Sequence, residues 1–333
     1  MQEQNIEVIR EQDLSFISRT DSLRIFYDVY MPKAFEYPVV VQIAHGMVEH
    51  KGRYVWLGTK LAQSGFIVVI NDHRGHGKSI DNTHQWGEMK GIADNTDKDS
   101  SQYQQLSGFE RAVMDMHELT QIVKARFAPQ KLILLGHSMG SLLSRAYLKH
   151  FSYELNALIL SGSPAYNPFV GVGKLLAQLL YKCGLETKGK YFINALSFGG
   201  FNRAFEKSSD EGYASGAFAW LCRDKAVVEA YKADKACCFV FSLQSFIGLF
   251  GGMMFVNDTQ GLNGAHLPLL IISGDDDSCG HFGKGVKKIA LQYEKCGFDV
   301  QLKLYEGARH EIFNEINKEQ VFADVLSFIK SVV

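Results

Sequence analysis

Residues 132–150 read LILLGHSMGSLLSRAYLKH. A short apolar run leads into a Gly-x-Ser-x-Gly motif centred on Ser138, which is followed by a segment with the composition of a helix. A sharp turn from a buried strand into a helix exposes such a serine in a strained conformation, where its hydroxyl can act as a nucleophile. Side chains in place of Gly136 and Gly140 would collide with the neighbouring strand and helix. The stretch therefore predicts Ser138 as a nucleophile, with the amides and dipole of the following helix directed at a developing negative charge.

Other short apolar runs recur along the chain, each bounded by Gly, Asp or Ser, as is typical of strands buried on both faces. Together with the first run they cover residues 39–43, 67–70, 132–135, 157–160, 267–272 and 300–304. Segments with helical periodicity lie between most of them, including residues 109–127, 142–150, 283–296 and 318–332. Strands that alternate with helices predict an α/β fold with a doubly wound, mostly parallel sheet.

The alternation fails once, between residues 161 and 267, over a length far beyond that of ordinary loops. This segment has a mainly helical pattern and many large apolar side chains, notably in residues 169–185 and 239–256. We expect it to form a helical cap over the carboxyl edge of the sheet, where open α/β sheets bind ligands. The predicted domains are a first part of the core at 1–163, a cap insertion at 164–262 and a second part of the core at 263–333.

The serine hydroxyl needs an imidazole to remove its proton, and the imidazole needs a carboxylate to orient it. After a nucleophile elbow of this kind, the acid and then the histidine follow the serine in the chain. His310 comes after the last predicted strand and before the terminal helix, so we predict that it is the base. The loop after the strand at 267–272 carries three aspartates that could each be the acid, namely Asp275, Asp276 and Asp277.

Two backbone N–H groups must form an oxyanion hole, one from the residue after the nucleophile and one from the loop after an early strand. Met139 supplies the first. Met47 supplies the second, because Gly46 lets the loop at 45–50 bend inward. Five histidines near these loops follow no zinc pattern, and we expect them to hold the loops by hydrogen bonds: His45, His50, His73, His76 and His137. Neither a metal nor a cofactor is predicted.

Composition and charge disfavour several classes of protein. Lysine and arginine number 35 against 36 acidic residues, so no basic face is expected to bind nucleic acid. The six cysteines form no CxxC pair and lie in mostly apolar or helical surroundings, which is typical of reduced thiols. The first residues lack the continuous hydrophobic stretch of a secretory signal. We therefore expect a cytoplasmic protein.

Two apolar segments bear on membranes. Residues 236–257 carry no charge and are long enough to cross a bilayer core, but glycines and polar residues interrupt them. They also lie between two strands that must share one sheet, so a membrane span is not expected. Residues 169–185 have two interpretations, a helix that packs in the core or a helix that transiently contacts a membrane surface.

Six motifs occur in one order along the chain: HGMVEH at 45–50 with RY at 53–54, NDHRGHGKS at 71–79, GHSMG at 136–140, GDDD at 274–277, GKGV at 283–286 and YEGARHE at 305–311. Together they resemble the monoacylglycerol lipase and lysophospholipase group of α/β-hydrolases. In that group the acid is the aspartate that ends a GxxD segment, so the resemblance implies Asp277 as the partner of His310. Many members have glycine in place of Val48 and proline in place of Ser278.

The resemblance implies a carboxylic ester hydrolase that cleaves a small lipid-like ester, monoacylglycerol or lysophospholipid, through an acyl-enzyme. The same scaffold serves short-chain carboxylesterases, thioesterases and aminopeptidases, and these remain alternatives. No obvious acidic anchor for a peptide amine is present in the sequence. A non-enzymatic binding module is disfavoured, because hydrolase-like binding modules usually lose triad residues.

Overall fold

The computed structural model describes residues 6–35, 38–91, 105–206 and 212–333. In this part of the chain, eight strands form one sheet in the order β1-β2-β4-β3-β5-β6-β7-β8. Their bounds are β1 (Val8–Ile17), β2 (Arg24–Pro32), β3 (Val39–Ala44), β4 (Ile67–Asn71), β5 (Lys131–His137), β6 (Ala157–Ser161), β7 (Pro268–Gly274) and β8 (Asp299–Tyr305). Strand β2 pairs antiparallel with β1 and β4, and the neighbours from β4 to β8 are parallel.

Helices cover both faces of the sheet. Their bounds are α1 (Val55–Gln63), α2 (Gly108–Phe127), α3 (Met139–Phe151), α4 (Val170–Lys182), α5 (Glu186–Phe198), α6 (Lys225–Ala233), α7 (Leu243–Asn257), α8 (Lys284–Lys295) and α9 (Lys318–Val332). One buried cluster joins Leu132 and Leu134 to α2, α3 and α8, and a second joins Ile133 and Leu135 to α1 and α9. Successive side chains of β5 thus point to opposite layers. The predicted doubly wound, mostly parallel α/β sheet is confirmed.

The six predicted strands correspond to β3 through β8, and the structure adds the hairpin of β1 and β2 before them. Strand β1 is the edge of the sheet, consists of half-buried and exposed residues, and contains Arg10, Glu11 and Asp13. Its register shifts between Glu11 and Leu14. A charged, irregular edge strand lacks the apolar run by which the buried strands are recognised.

The insertion, residues 162–267, lies between β6 and β7, and its described part contains the four helices α4 to α7. Helix α4 packs against α7, which in turn packs against α2 and α3. The packing is close, since a Cβ atom at Gly252 would lie 2.5 Å from the ring of Phe109. The uncharged segment at 236–257 thus packs on the core of the protein. A search of the described residues finds no helix with the length and apolar character that crossing a membrane requires.

Candidate active site

Ser138 occupies a strained turn between β5 and α3. Its φ is 53° and its ψ is −118°, a combination that few residues other than glycine adopt. The glycines on either side make the turn possible. A Cβ atom at Gly136 would lie 2.4 Å from the carbonyl oxygen of Gly140, and one at Gly140 would lie 2.0 Å from that of Ala44. The predicted elbow is therefore present, and both flanking positions require glycine.

The structure brings together the three residues predicted as nucleophile, base and acid. The Nε2 atom of His310 lies 2.8 Å from the Oγ of Ser138. Its Nδ1 atom lies 3.1 and 3.0 Å from the two carboxylate oxygens of Asp277. Because a carboxylate only accepts hydrogen bonds, Nδ1 carries the proton and Nε2 accepts from the serine hydroxyl. This is the tautomer that a general base requires.

Among the three aspartates of the acidic loop, Asp277 is the one that reaches His310. Its carboxylate also accepts hydrogen bonds from the backbone of Cys279 and the hydroxyl of Ser273, which fix its orientation. Asp275 turns away and accepts from the backbone N–H of Gly307, and Asp276 is exposed. The geometry thus distinguishes three neighbouring carboxylates that composition leaves equivalent.

Burial and charge act against each other on His310. Burial favours the neutral imidazole, but the charge and hydrogen bond of Asp277 outweigh it and raise the pKa of His310 above its ordinary value of 6.5. Burial likewise favours protonated Asp277, yet the charge and hydrogen bond of His310 lower the pKa of Asp277 below 3.8. The arrangement therefore stabilises an imidazolium beside a carboxylate, which is the charge state that forms when a serine gives up its proton.

The two residues predicted to form the oxyanion hole, Met47 and Met139, line the same cavity as Ser138. Neither backbone amide donates a hydrogen bond to another group in the described part of the chain. Met139 is the first residue of α3, so its N–H has no partner within the helix. The loop turns at Gly46, whose N–H donates to the carboxylate of Glu49. Two amide donors are thus available beside the serine hydroxyl.

Val48 adopts a left-handed backbone conformation, with a φ of 57°. For a β-branched residue this conformation is strained, at a cost of about 1–2 kcal/mol. Glycine would adopt it without that cost. The carbonyl oxygen of Val48 accepts a hydrogen bond of 3.0 Å from the hydroxyl of Tyr231, a residue of α6 in the insertion. The loop that carries Met47 therefore has a strained residue directly after that methionine.

A buried ion network joins the Met47 loop to the loop of the predicted base. The guanidinium of Arg53 donates two hydrogen bonds to Glu311, at 2.5 and 2.7 Å, and one of 2.9 Å to Glu49. The hydroxyl of Tyr54 also donates to Glu49. Burial acts to raise the pKa of Glu311, but the charge and hydrogen bonds of Arg53 lower it to about 2. The sequence motifs include Glu49, Arg53 and Glu311 but assign them no role. The contact between Arg53 and Glu311 joins residues 258 positions apart, which a motif does not record.

A cavity of about 740 Å³ opens beside Ser138 and His310. Most of its wall comes from the insertion and is apolar, with side chains from α4, α5 and α7 that include Val170, Leu176, Leu196, Phe198, Leu249, Phe250 and Met253. Its acidic lining residues, Glu49 and Glu311, are both paired with Arg53. The reacting hydroxyl thus faces a large apolar space, and the two carboxylates in its lining share one guanidinium.

Four histidines of these loops are buried, namely His45, His73, His76 and His137. His45 accepts from the backbone N–H of His73, and its other ring nitrogen lies 2.8 Å from the carbonyl oxygen of Gly46. Burial lowers the pKa of His45 to about 3 and that of His137 to about 4, so both are neutral. These contacts join the loop of the oxyanion hole to the loop after β4, as the sequence predicts.

Two clusters of side chains in the described residues have metal-binding atoms within 4.8 Å of one another. One consists of Asp277, Cys279 and His310, and the atoms of His310 are already engaged with Ser138 and Asp277. The other consists of His50, Asp234 and Cys237. There, Nδ1 of His50 accepts from the backbone of Gly52, so the proton is on Nε2 and donates to Asp234. Both imidazoles therefore have their ring nitrogens in hydrogen bonds that serve the loops.

Comparison with known proteins places this geometry in a family. The family model Hydrolase_4, described as serine aminopeptidase, S33, matches residues 37–317. The chain belongs to this family. A monoacylglycerol lipase of Mycolicibacterium smegmatis is 31% identical over 314 residues, which cover 93% of this chain and 94% of the relative. A phospholipase of Bacillus subtilis, YtpA, is 27% identical and covers 87% of this chain and 94% of its own length.

Solved structures resemble this Hydrolase_4 protein along almost its whole length. A lipase in an open form superposes with a TM-score of 0.79 at 25% identity and covers 97% of this chain and 99% of its own. A soluble variant of the Saccharomyces cerevisiae monoglyceride lipase has the same fold, with a TM-score of 0.67 at 19% identity, over 100% of this chain and 97% of its own. The comparisons confirm the predicted resemblance and the predicted enzyme class, a carboxylic ester hydrolase.

Proposed function

We propose that this Hydrolase_4 protein hydrolyses monoacylglycerols or lysophospholipids through an acyl-enzyme on Ser138. The observation that carries the proposal is the continuous path from Asp277 through His310 to the Ser138 hydroxyl, which ends in a large apolar cavity. A serine that can pass its proton to a histidine is a nucleophile suited to acyl transfer. An apolar space of this size favours a substrate with a long acyl chain. Both features fit the lipase relatives.

In the first half of the reaction, Nε2 of His310 takes the proton of the Ser138 hydroxyl while the serine oxygen bonds to the ester carbonyl carbon. The carbonyl oxygen becomes negatively charged and accepts hydrogen bonds from the amides of Met47 and Met139. Collapse of this intermediate breaks the bond to the alcohol, which leaves with the proton from His310. The acyl group is then esterified to Ser138, and Asp277 has stabilised the imidazolium throughout.

In the second half, a water molecule replaces the departed alcohol. His310 takes one of its protons, and the resulting hydroxide oxygen bonds to the acyl carbon while the same two amides hold the oxyanion. The bond to Ser138 breaks, the serine oxygen takes the water-derived proton from His310, and the fatty acid leaves. The original serine proton has left with the alcohol and a proton of water has replaced it, so the enzyme returns to its starting state.

The insertion supplies most of the cavity wall, and we propose that residues 164–262 act as a cap that selects the acyl chain. Residues 1–163 and 263–333 then form the hydrolase core. This division follows the strands, because the last core strand before the insertion ends at Ser161 and the next begins at Pro268. Substrate selection by the cap explains why a common core can serve lipases, short-chain esterases and thioesterases.

The family description includes aminopeptidases, whose substrates carry a positively charged amine. Binding that amine in an apolar cavity requires an unpaired carboxylate. The acidic residues lining the described cavity, Glu49 and Glu311, share the guanidinium of Arg53, so each already has an ion-pair partner. This pairing supports a neutral ester rather than a peptide.

We also propose that α4 contacts a membrane surface transiently. Its outer face consists of large apolar side chains, and Val172, Leu175 and Leu179 are 63%, 67% and 59% exposed. The neighbouring helix α5 adds Tyr191, Phe192 and Leu196, also exposed. A contiguous apolar face of this kind favours a lipid interface. The six cysteines are all unbridged, which supports a reducing compartment such as the cytoplasm.

The test combines a substrate series with a matched pair of serine variants. Initial rates on monoacylglycerols, lysophospholipids and nitrophenyl esters of graded chain length should rise steeply with acyl length. Ser138→Ala should abolish both turnover and labelling by a fluorophosphonate. Ser144→Ala changes a buried serine of α3 whose hydroxyl has no hydrogen-bond partner among the described residues, and it should retain both. Activity confined to acetyl and butyryl esters would indicate a short-chain esterase instead.

A further inference from the structure

We propose that Tyr231 is a positioning residue that holds the oxyanion loop in its active conformation. The proposal rests on the proposed function, because it concerns the amide of Met47. Tyr231 belongs to α6 of the insertion and is 6% exposed. Its hydroxyl donates to the carbonyl oxygen of Val48, the strained residue that follows Met47. A residue of the insertion thus fixes the peptide between Val48 and Glu49, two peptides after the one that carries the Met47 amide.

Helix α6 and the residue after it contact the Met47 loop at several points. The guanidinium of Arg53 stacks on the ring of Tyr231, with its central carbon 4.8 Å from the ring centre. Asp234, which directly follows the last residue of α6, accepts a hydrogen bond of 2.9 Å from Nε2 of His50. The contacts therefore fall on residues 48, 50 and 53, just after the Met47 amide. These repeated polar contacts with one loop indicate a specific interaction rather than general packing.

The strain at Val48 explains why the loop needs these contacts. A left-handed conformation is unfavourable for a β-branched residue and persists only where the surroundings impose it. On the core side, the carboxylate of Glu49 accepts from the N–H of Gly46 and closes the turn. On the insertion side, the Tyr231 hydroxyl fixes the carbonyl of Val48. If that hydroxyl is lost, Val48 can relax and carry the Met47 amide away from Ser138.

The test is a double-mutant cycle between Tyr231→Phe and Val48→Gly. Tyr231→Phe should reduce the rate of fluorophosphonate labelling and the acylation rate with nitrophenyl esters by about tenfold, with KM little changed. With glycine at position 48 the left-handed conformation is no longer strained, so the same change should cost only about twofold. Equal losses in both backgrounds, or a loss confined to KM, would overturn the proposal.

A matched control separates positioning from general stability. Tyr147→Phe also removes a buried tyrosine hydroxyl, one that donates to Thr120 outside the cavity. It should lower the melting temperature by as much as Tyr231→Phe and leave the labelling rate unchanged. If Tyr147→Phe slows labelling equally, Tyr231 has only a structural role.

Hydrogen exchange distinguishes failure of this proposal from failure of the proposed function. Tyr231→Phe should speed amide exchange in the peptide containing residues 46–50, whether or not the enzyme turns over any ester. An unchanged rate of amide exchange in this peptide would refute the proposal that Tyr231 holds the loop, even if the protein is an active lipase. A wild-type protein that resists fluorophosphonate would refute the proposed function, while the exchange result would still report on Tyr231.

Discussion

The imidazole of His310 lies with its Nδ1 atom 3.0 Å from the nearer carboxylate oxygen of Asp277, and both side chains are buried. The charge and hydrogen bond of Asp277 outweigh the effect of burial and raise the pKa of His310 above 6.5. A base must be unprotonated to accept a proton. We therefore predict that kcat/KM rises with pH and that its acid-side inflection lies above 6.5.

The variant Asp277→Asn removes the charge that raises this pKa, while burial continues to lower it. The inflection should then move to lower pH, and turnover should fall by roughly 10⁴-fold, as for loss of the acid in a comparable triad. Asp275→Asn is the matched control, because Asp275 accepts from the backbone of Gly307 and an amide oxygen can do the same. A large loss with Asp275→Asn and a small one with Asp277→Asn would reassign the acid.

The rate of catalysis should depend more on the backbone conformation at Gly46 than on the side chain of Met47. A Cβ atom at Gly46 would lie 2.7 Å from the Glu49 carboxylate and 3.1 Å from the Cβ of Ser138, so Gly46→Ala must shift the loop. Loss of one oxyanion donor costs about 3–4 kcal/mol of barrier, so kcat should fall about 10²–10³-fold. Met47→Ala keeps the amide and should change kcat by far less. Steady-state kinetics on a nitrophenyl ester compares them, and equal losses would exclude a role for the loop amide.

A buried ion network should dominate the stability of the hairpin formed by β1 and β2. The fully buried guanidinium of Arg74 donates to Asp115 of α2 and to Asp21, which lies between β1 and β2. Asp115→Ala leaves much of that charge uncompensated, so the free energy of unfolding should fall by about 3–5 kcal/mol. Glu11→Ala breaks an ion pair with Arg126 that is partly exposed, and should cost less than about 1 kcal/mol. Denaturant unfolding measures both, and similar losses would contradict the prediction.

The exposed face of α4 predicts binding to neutral vesicles. Full burial of one leucine side chain contributes about 1.5–3 kcal/mol, so the double variant Leu175→Ser and Leu179→Ser should weaken sedimentation with phosphatidylcholine vesicles at least about tenfold. Leu291→Ser changes a leucine of α8 that is 57% exposed, and it should bind like wild type. Equal binding by all three proteins would assign the face of α4 to another role. Turnover of a water-soluble nitrophenyl ester should be unaffected in each case.

Sequence pattern predicted the parts of the fold that are buried on both sides. Residues 132–135 and 157–160 are short apolar runs because β5 and β6 have helices on both faces. The run at 318–332 corresponds to α9 with the same bounds, since its apolar residues repeat with helical spacing. The hairpin of β1 and β2 was not predicted from the sequence pattern. Its charged residues, such as Arg10 and Asp13, have partners in Asp28, Lys51 and Lys78 that are distant in the chain.

The class of fold, the nucleophile elbow at Ser138 and the order of serine, acid and histidine could all be predicted from the sequence, because these depend on local spacing and on strand ends. The GxxD resemblance implied Asp277 as the acid, and the three-dimensional structure was needed to show that its carboxylate reaches His310, how Arg53 joins two loops, and that Tyr231 meets Val48. These contacts join residues 33, 258 and 183 positions apart. The physical reason is that a hydrogen bond is set by the positions of two atoms in space, whereas a motif records only neighbours along the chain.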